Sequence, residues 1–198
     1  DPAGWLGTVE REKVTHAFVV PTMLKRVMEV DDFNKYDLSS LKVITYGAAP
    51  MPFEVIKKAI EMLPNVRFIN AFGQTETAST ICMLGPEDQL RKPGSCGRAV
   101  RNVETRVVND QMQDIQPGEV GEIVHRSPHL MLGYFHDDER TLSSFEGDWF
   151  HSGDLATIDE EGYITVVDRK KDMIKTGGEN VASREVEEMI YRLPQVSE

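Results

Sequence analysis

Apolar runs alternate with helical patterns over the first half of the chain. Residues 14–20, 41–46 and 66–71 are almost continuously apolar, which is typical of parallel strands buried on both faces. Residues 53–63 carry apolar side chains at helical spacing, and a second helix is expected after Pro21 with Thr22 as its N-cap. Strands and helices at these intervals predict βαβ units and a parallel sheet covered by helices.

The pattern changes near Pro93 and Gly94. Beyond them come short stretches of alternating polarity, at residues 103–109, 120–126 and 163–167. These predict antiparallel strands in a small barrel or an open sheet. A short helix is expected to start at Asp137, because acids favour the first turn of a helix, and a final helix is expected after Ser183. The predicted fold class is therefore α/β, with a helix-covered, mainly parallel sheet, then a β-barrel-like subdomain, then the start of an α+β domain.

Three regions follow from these patterns. Residues 1–96 form the α/β part, residues 97–168 the β-rich part, and residues 169–198 the opening of another domain. The last region is too short to bury a core by itself. The chain also starts at Asp1 without a methionine, so we expect it to be an internal piece of a longer protein.

Composition removes several function classes. The formal net charge is −11, which disfavours nucleic acid or an anionic membrane as the main partner, although local basic clusters can still bind phosphates. Cys82 and Cys96 have no CxxC spacing, so neither a zinc site nor a disulfide scaffold is indicated, and a cytoplasmic location is expected. No apolar run approaches the ~20 residues of a membrane helix, so we expect no transmembrane segment.

The first candidate site, residues 71–77 (AFGQTET), follows a predicted parallel strand. Ligands in such sheets lie beyond the carboxyl ends of the strands. The hydroxyls of Thr75 and Thr77 can bind phosphate oxygens, and Glu76 can hold Mg²⁺. An ordinary turn that caps the next element explains the same residues, and both interpretations stay open.

Two further stretches could bind parts of a nucleotide. In residues 46–50 (YGAAP), small side chains let a flat ring lie against backbone amides, although a plain strand-to-helix turn also needs Gly and Pro. In the Ser-Gly-Asp turn expected at residues 152–154, Asp154 can accept hydrogen bonds from two ribose hydroxyls, and Arg169 can support the same sugar or a phosphate. A common turn and a solvated basic run are the alternatives.

Other chemistries find little support. Residues 135–139 (FHDDE) suggest metal ligands, but acids after Asp137 more simply start a helix. His125, His129 and His151 have no Ser or Cys partner at a recognisable nucleophile elbow, which disfavours a hydrolase triad. The chain also has neither a P-loop nor a GxGxxG motif.

Six motifs, in order, resemble those of the adenylate-forming superfamily, which includes acyl-CoA synthetases, firefly luciferase and the adenylation domains of peptide synthetases. They are YGAAP, AFGQTE, GSCGR, GEIVHRSPHLMLGYF, DWFHSGD and DRKKDMIKTGGENVASREVEE. The resemblance covers essentially the whole chain. Peptide-synthetase domains usually have Arg-Thr-Gly-Asp where this chain has His151 to Asp154, so it looks closest to fatty-acid-type acyl-CoA synthetases.

The resemblance implies a two-step reaction in the full-length protein. A carboxylate attacks the α-phosphate of ATP, giving an acyl-adenylate and pyrophosphate, and a thiol, usually CoA, then displaces AMP. The implied cofactors are ATP or AMP, Mg²⁺ and CoA, and the implied partner is a small-molecule carboxylate. A homodimer is left open. An adenylating enzyme that loads a carrier protein, and a non-catalytic nucleotide- or acyl-binding relative, remain alternatives.

The resemblance also implies a role for each site residue. The segment that contacts adenine is Gly47, Ala48, Ala49 and Pro50, and the wall of the nucleotide and acyl site is Ala71, Phe72 and Gly73. Thr75 is the phosphate contact and Glu76 the Mg²⁺ ligand. The ribose contacts are Asp154 and Arg169. Lys171 takes the hinge of a small mobile C-terminal domain. Lys175 takes the place of a lysine used in the second half-reaction, and Gly178 that of a loop glycine near the pantetheine tunnel.

Two family parts are expected outside the chain. The Ser/Thr/Gly-rich phosphate loop should lie upstream of Asp1, and the lysine that contacts the reacting carboxylate should lie beyond Glu198. We therefore expect the chain to be inactive, or nearly so, by itself.

Overall fold

The structure is a computed structural model that describes residues 1–177 and 179–190. It divides into two compact units, Asp1–Val100 and Arg101–Glu198. Each unit has its own sheets, and each is described by itself.

Unit 1 contains a five-stranded mixed sheet in the order β1-β2-β3-β4-β5. Its helices and strands are α1 (Pro2–Glu12), β1 (His16–Val19), α2 (Pro21–Met28), β2 (Val43–Gly47), α3 (Phe53–Met62), β3 (Arg67–Gln74), β4 (Ser79–Leu84) and β5 (Arg98–Ala99). Strands β1, β2 and β3 are parallel, whereas β4 and β5 are antiparallel to their neighbours. Short 3₁₀ turns lie at Phe33–Lys35, Thr75–Thr77 and Pro86–Asp88.

The three helices and the parallel strands of unit 1 share one apolar core. Its buried members include Leu6 and Val9 from α1, Leu24 and Val27 from α2, Ile56 and Ala59 from α3, and Ile44 and Phe68 from the strands. This confirms the predicted parallel sheet and the helices after Pro21 and across residues 53–63.

The predicted N-cap at Thr22 is wrong. Helix α2 begins at Pro21, after the extended residue Val20, and no side chain caps it. Proline suits the first helical position because its missing N–H would have had no partner there.

The third predicted strand is longer than expected. It ends at Gln74 rather than at Ala71, so the first half of the AFGQTET motif is strand and not loop. The reason is β4, which the sequence analysis missed. It turns back along β3 and provides hydrogen-bonding partners for residues 70–74.

Unit 2 is built on an antiparallel sheet in the order β10-β9-β7-β6, with β8 paired to β9. Its elements are β6 (Glu104–Val108), β7 (Gly121–Arg126), α4 (Asp138–Ser143), β8 (Phe145–Glu146), β9 (Trp149–Ile158), β10 (Ile164–Arg169), β11 (Ile174–Thr176), β12 (Glu179–Val181) and α5 (Ser183–Ile190). Within the described residues this sheet is open and does not close into a barrel. Strands β11 and β12 form a separate antiparallel pair.

Two predictions about short segments of unit 2 have different outcomes. The Asp137 carboxylate accepts a hydrogen bond from the Arg140 amide at 3.0 Å, which confirms that this acid starts a helix. The turn expected at Ser152, Gly153 and Asp154 is wrong, because all three residues lie inside the ten-residue strand β9.

Helix α5 begins at an acceptor supplied by the sheet. The Ser183 amide donates to Asp168 at 2.6 Å, and the Arg169 amide donates to the other oxygen of the same carboxylate at 2.7 Å. Burial raises the pKa of Asp168, but these hydrogen bonds outweigh it, so the pKa lies below its ordinary value. The end of β10 and the start of α5 are thereby joined.

Among the described residues, no helix has the length and apolar character needed to cross a membrane.

Candidate functional site

The carboxyl end of β2 lies beside the middle of β3 in unit 1. Gly47, the last residue of β2, pairs with Ala71 of β3. A Cβ atom on Gly47 would run into the carbonyl oxygen of Ala71 and would lie 3.7 Å from the ring of Phe18. This position therefore requires glycine, and the predicted adenine segment and nucleotide wall meet here as expected for parallel strands.

The segment after β2 is exposed to solvent. Ala48, Ala49 and Pro50 form an exposed bend, and Ala48 has a φ of 66°. A left-handed backbone costs a non-glycine residue roughly 1–2 kcal/mol. Strain of this kind persists where the surrounding structure imposes it, and it clusters at functional sites.

Tyr46, just before this bend, has a structural role. Its hydroxyl is buried and donates to the side-chain oxygen of Gln89 at 2.6 Å, and burial raises the pKa of the phenol. Gln89 in turn donates to the Leu84 carbonyl at 3.0 Å. The side chain of Tyr46 therefore ties β2 to the segment after β4.

The 3₁₀ turn Thr75–Thr77 links β3 to β4. Thr75 is exposed and Glu76 is half-buried, whereas Thr77 is only 1% exposed. The Thr77 hydroxyl lies 2.8 Å from the Gln74 carbonyl and accepts from the Gln74 amide at 3.2 Å. The interpretation of Thr77 as a phosphate ligand is therefore corrected, because its hydroxyl completes the cap of this turn.

The hairpin that carries this turn is unusually close. A Cβ atom on Gly73 would collide with the carbonyl oxygen of Ser79. The pairing also shifts here, with Phe72 opposite Cys82 but Gly73 opposite Thr80, so Ile81 is an extra residue on β4. Such a bulge re-aims the residues beside it, here those leading into Thr75 and Glu76.

In unit 2, Asp154 and Arg169 face each other across β9 and β10. The Arg169 Nε atom lies 3.5 Å from the Asp154 Oδ1 atom. The Asp154 side chain is 9% exposed and the Arg169 side chain is 58% exposed. An acceptor carboxylate therefore lies beneath a guanidinium that reaches solvent.

Irregular pairing on both sides of β9 sets the position of Asp154. Against β7, Glu122 pairs with Leu155 and Val124 pairs with His151, so residues 152–154 all lie opposite Ile123. Against β10, Val167 is an extra residue between two regular pairs. Gly153, inside the first irregularity, has a φ of 73°. A regular strand would have aimed Asp154 differently.

Hydrogen bonds hold this irregular segment to β7. The Ser152 hydroxyl donates to the Ile123 carbonyl at 2.7 Å and accepts from the Asp154 amide at 3.0 Å. The Gly153 amide donates to the Glu122 carboxylate at 3.1 Å. Glu122 was not predicted from the sequence, where its only signal is its place at the start of the GEIVHR motif.

The remaining predicted residues follow β10. Lys171 is exposed in a turn, and Lys175 lies on β11 opposite Asn180. Gly178 lies outside the described residues. The structure thus brings Gly47 together with Ala71 in unit 1, and Asp154 with Arg169 in unit 2.

The oxygen groups at Thr75 and Glu76 suit Mg²⁺. A carboxylate beside an exposed hydroxyl matches the hard oxygen ligands that this ion takes, usually one or two from protein and the rest from water and phosphates. Among the described residues, no group of three or more His, Cys, Asp or Glu side chains could hold a metal.

The profile of one protein family, described as AMP-binding enzyme, matches residues 1–135. The chain belongs to the AMP-binding enzyme family. The resemblance to adenylate-forming enzymes is thereby confirmed.

Two of the relatives that the chain resembles are CoA-linked enzymes by name. The chain is 38% identical over 196 residues to a feruloyl-CoA synthase from Amycolatopsis sp., covering 99% of the chain and 40% of that enzyme. It is 36% identical over 200 residues to a medium/long-chain-fatty-acid–CoA ligase from Mycobacterium tuberculosis, covering 100% of the chain and 35% of that enzyme. The chain thus spans well under half the length of both relatives.

A solved structure shares the fold. It is O-succinylbenzoate CoA synthetase from Bacillus subtilis in complex with ATP and magnesium ion, with a TM-score of 0.90 and 32% identity over 100% of this chain and 40% of that one. The match confirms the α/β fold class.

Proposed function

We propose that the full-length protein is an AMP-forming carboxylate–CoA ligase acting on fatty or related carboxylic acids. The observation that carries the proposal is the buried Asp154 carboxylate beside the exposed Arg169 guanidinium in a member of the AMP-binding enzyme family. Such a pair offers acceptors to a ribose and a cation to a phosphate.

The candidate groups of unit 1 have their own roles in this proposal. The exposed segment Ala48–Pro50 takes the adenine ring, and Ala71, Phe72 and Gly73 wall the nucleotide and acyl groups. The exposed Thr75 hydroxyl donates to a phosphate oxygen. Glu76 would hold Mg²⁺, which neutralises phosphate charge during adenylyl transfer.

No nucleophilic side chain is required. The carboxylate substrate attacks the α-phosphate and pyrophosphate leaves, so the protein has to position the reactants and neutralise charge. Substrate binding can therefore rely on backbone amides, on Glu76 as a ligand for Mg²⁺, and on the pair of Asp154 with Arg169.

The segment after Arg169 would serve the second step. In this proposal residues 1–168 belong to the large N-terminal domain, and the segment from residue 169 begins a small domain that turns about Lys171. In this proposal the rotation brings Lys175 and Gly178 to the adenylate. CoA then displaces AMP.

Replacement of the pivot tests this division. In the full-length protein, Lys171→Pro should leave ATP–pyrophosphate exchange within about threefold of wild type and slow thioester formation by at least about a hundredfold, because proline fixes φ. Single-turnover assays of each half-reaction measure both. Equal loss of both steps would refute the division.

The activity itself is tested with the full-length protein, ATP, Mg²⁺, CoA and a panel of fatty and aromatic acids. Mass spectrometry should detect AMP and one or more acyl-CoA products. Formation of AMP only when a carrier protein replaces CoA would favour the carrier-loading alternative, and binding of ATP or of an acid without any AMP formation would favour a non-catalytic relative. The chain of 198 residues alone should give no ATP–pyrophosphate exchange above background.

A further inference from the structure

Glu122 on β7 gathers three hydrogen-bonding groups although its side chain is only 11% exposed. Its Oε1 atom accepts from the Gly153 amide at 3.1 Å. Its Oε2 atom accepts from the Lys170 ammonium at 3.0 Å and lies 3.3 Å from Nδ1 of His151. One carboxylate therefore links three strands or strand ends.

These contacts close a ring around the irregular segment of β9. The Lys170 amide donates to the Gly153 carbonyl at 2.8 Å, while the Lys170 side chain reaches Glu122. Gly153 is thus held at its N–H by Glu122 and at its carbonyl by Lys170. Gly153 directly precedes Asp154, and Lys170 directly follows Arg169. The ring therefore lies next to the Asp154–Arg169 pair along both strands.

The charges in this ring favour an ionised Glu122. Burial raises its pKa, but hydrogen bonds from Lys170 and His151 outweigh burial, so the pKa lies below its ordinary value. Lys170 has a raised pKa, chiefly because of its hydrogen bond to Glu122. Two further acids lie at the margin, with Asp110 3.4 Å from Lys170 and Glu146 4.0 Å from His151.

Such an arrangement is a poor way to gain stability. The free energy lost when a carboxylate leaves water offsets much of the free energy gained from its ion pair. What the buried contacts do provide is a specific geometry. Glu104 and Arg126, by contrast, form an exposed ion pair on the same sheet.

We propose that Glu122 is a positioning residue for nucleotide binding. Through Gly153 and Lys170 it fixes Asp154 and Arg169 in the geometry that receives the ribose, and it anchors the chain just before Lys171. The inference rests on the proposed function, because it assigns Glu122 to that same site.

The test uses the full-length protein and four variants. Glu122→Ala should raise the KM for ATP in pyrophosphate exchange by about tenfold with kcat within about twofold, because it removes the acceptors for both Gly153 and Lys170. Glu122→Gln keeps an acceptor for the Gly153 amide and should raise the KM for ATP by about threefold. Lys170→Met should raise the KM for ATP by the same factor. Glu104→Gln, the control on the same sheet, should leave the KM unchanged.

A double variant shows whether the two residues act as a unit. Glu122→Gln combined with Lys170→Met should raise the KM no more than either change alone, because one contact is lost in all three cases. Calorimetric titration with ATP should give the same order of Kd values. Multiplied effects in the double variant would refute the ring.

Other outcomes separate this inference from the proposed function. A lower Tm with an unchanged KM for ATP would reduce Glu122 to a stabilising residue and overturn the inference alone. If Glu122→Ala does not fold, the Gln and Met variants decide. A wild-type protein that neither binds ATP nor catalyses exchange would overturn the proposed function and the inference with it.

Discussion

The two units prepare their candidate binding groups in different ways. Unit 1 presents small residues where a parallel strand ends, at the pair of Gly47 with Ala71 of the next strand. Unit 2 presents charged side chains from within antiparallel strands, where Asp154 and Arg169 pair. Parallel strands collect loops at one edge, whereas an antiparallel sheet needs a local irregularity to aim a side chain out of its regular row.

The glycines beside the two candidate sites reflect this difference. Gly47 and Gly73 are required by space, because a Cβ atom would meet a backbone carbonyl of the neighbouring strand. Gly153 has nothing within 4 Å of an added Cβ, and its φ of 73° is the only constraint. A close approach of two strands and a left-handed backbone are thus separate reasons for a glycine. Four substitutions, two of them at these glycines, test how the two units differ.

The largest effect is expected at Gly73. Gly73→Ala should lower the free energy of unfolding by about 3 kcal/mol or more, because backbone atoms of Ser79 would have to move. Urea unfolding followed by fluorescence of Trp5, in a Trp149→Phe background, measures it. Gly7→Ala in α1, with only Tyr36 at 3.9 Å, is the control and should stabilise the protein slightly. Similar stabilities for the two variants would contradict the steric argument.

The next effect concerns the interior of unit 2. His125 is fully buried, with the Thr105 hydroxyl 3.0 Å from Nδ1, and burial lowers its pKa to about 4. Its ordinary value is 6.5, so between these values the unfolded chain binds a proton that the folded chain does not, and stability falls as the pH falls.

This dependence should amount to roughly 2 kcal/mol between about pH 7 and about pH 5. His125→Gln should remove that part of the pH dependence. Unfolding followed at Trp149, in a Trp5→Phe background, is the measurement. If the free energy of unfolding changed with pH in the same way for wild type and His125→Gln, the pKa of His125 would be the same in the folded and unfolded chain.

A smaller effect is expected when Asp154 loses its charge. In the full-length protein, Asp154→Asn should raise the Kd for ATP by about tenfold, because an amide is a weaker acceptor for ribose hydroxyls and no longer attracts Arg169. Asp37→Asn, which alters an exposed ion pair with Lys13 in unit 1, is the matched control and should bind ATP normally. Equal Kd values for wild type and Asp154→Asn would remove Asp154 from the site.

The smallest effect is expected at Gly153. Gly153→Ala meets no neighbouring atom, so the only penalty is a left-handed alanine, about 1 kcal/mol of unfolding free energy. Urea unfolding at Trp149 measures it. A loss as large as that of Gly73→Ala would mean that space, not backbone conformation, limits both units.

Local patterns predicted the elements of this fold better than its irregularities. The apolar runs identified β1, β2 and β3, and acids after Asp137 identified α4, since both signals are local. The displacement of three residues opposite Ile123 was not predictable, because it depends on how β7 and β9 pair across about thirty residues. Glu122 was missed for the same reason, since its partners Gly153 and Lys170 approach it only through strand pairing.

The hydrogen bond from the Ser183 amide to Asp168 spans the proposed pivot, because Asp168 precedes Lys171 and Ser183 follows it. A rotation about Lys171 has to break this bond, whereas the contact between Glu122 and Lys170 lies wholly on one side and can persist. The Ser183 amide proton would therefore report the rotation that the proposed function requires. Its rate of exchange with solvent distinguishes the arrangement described here from one in which the start of α5 has moved away.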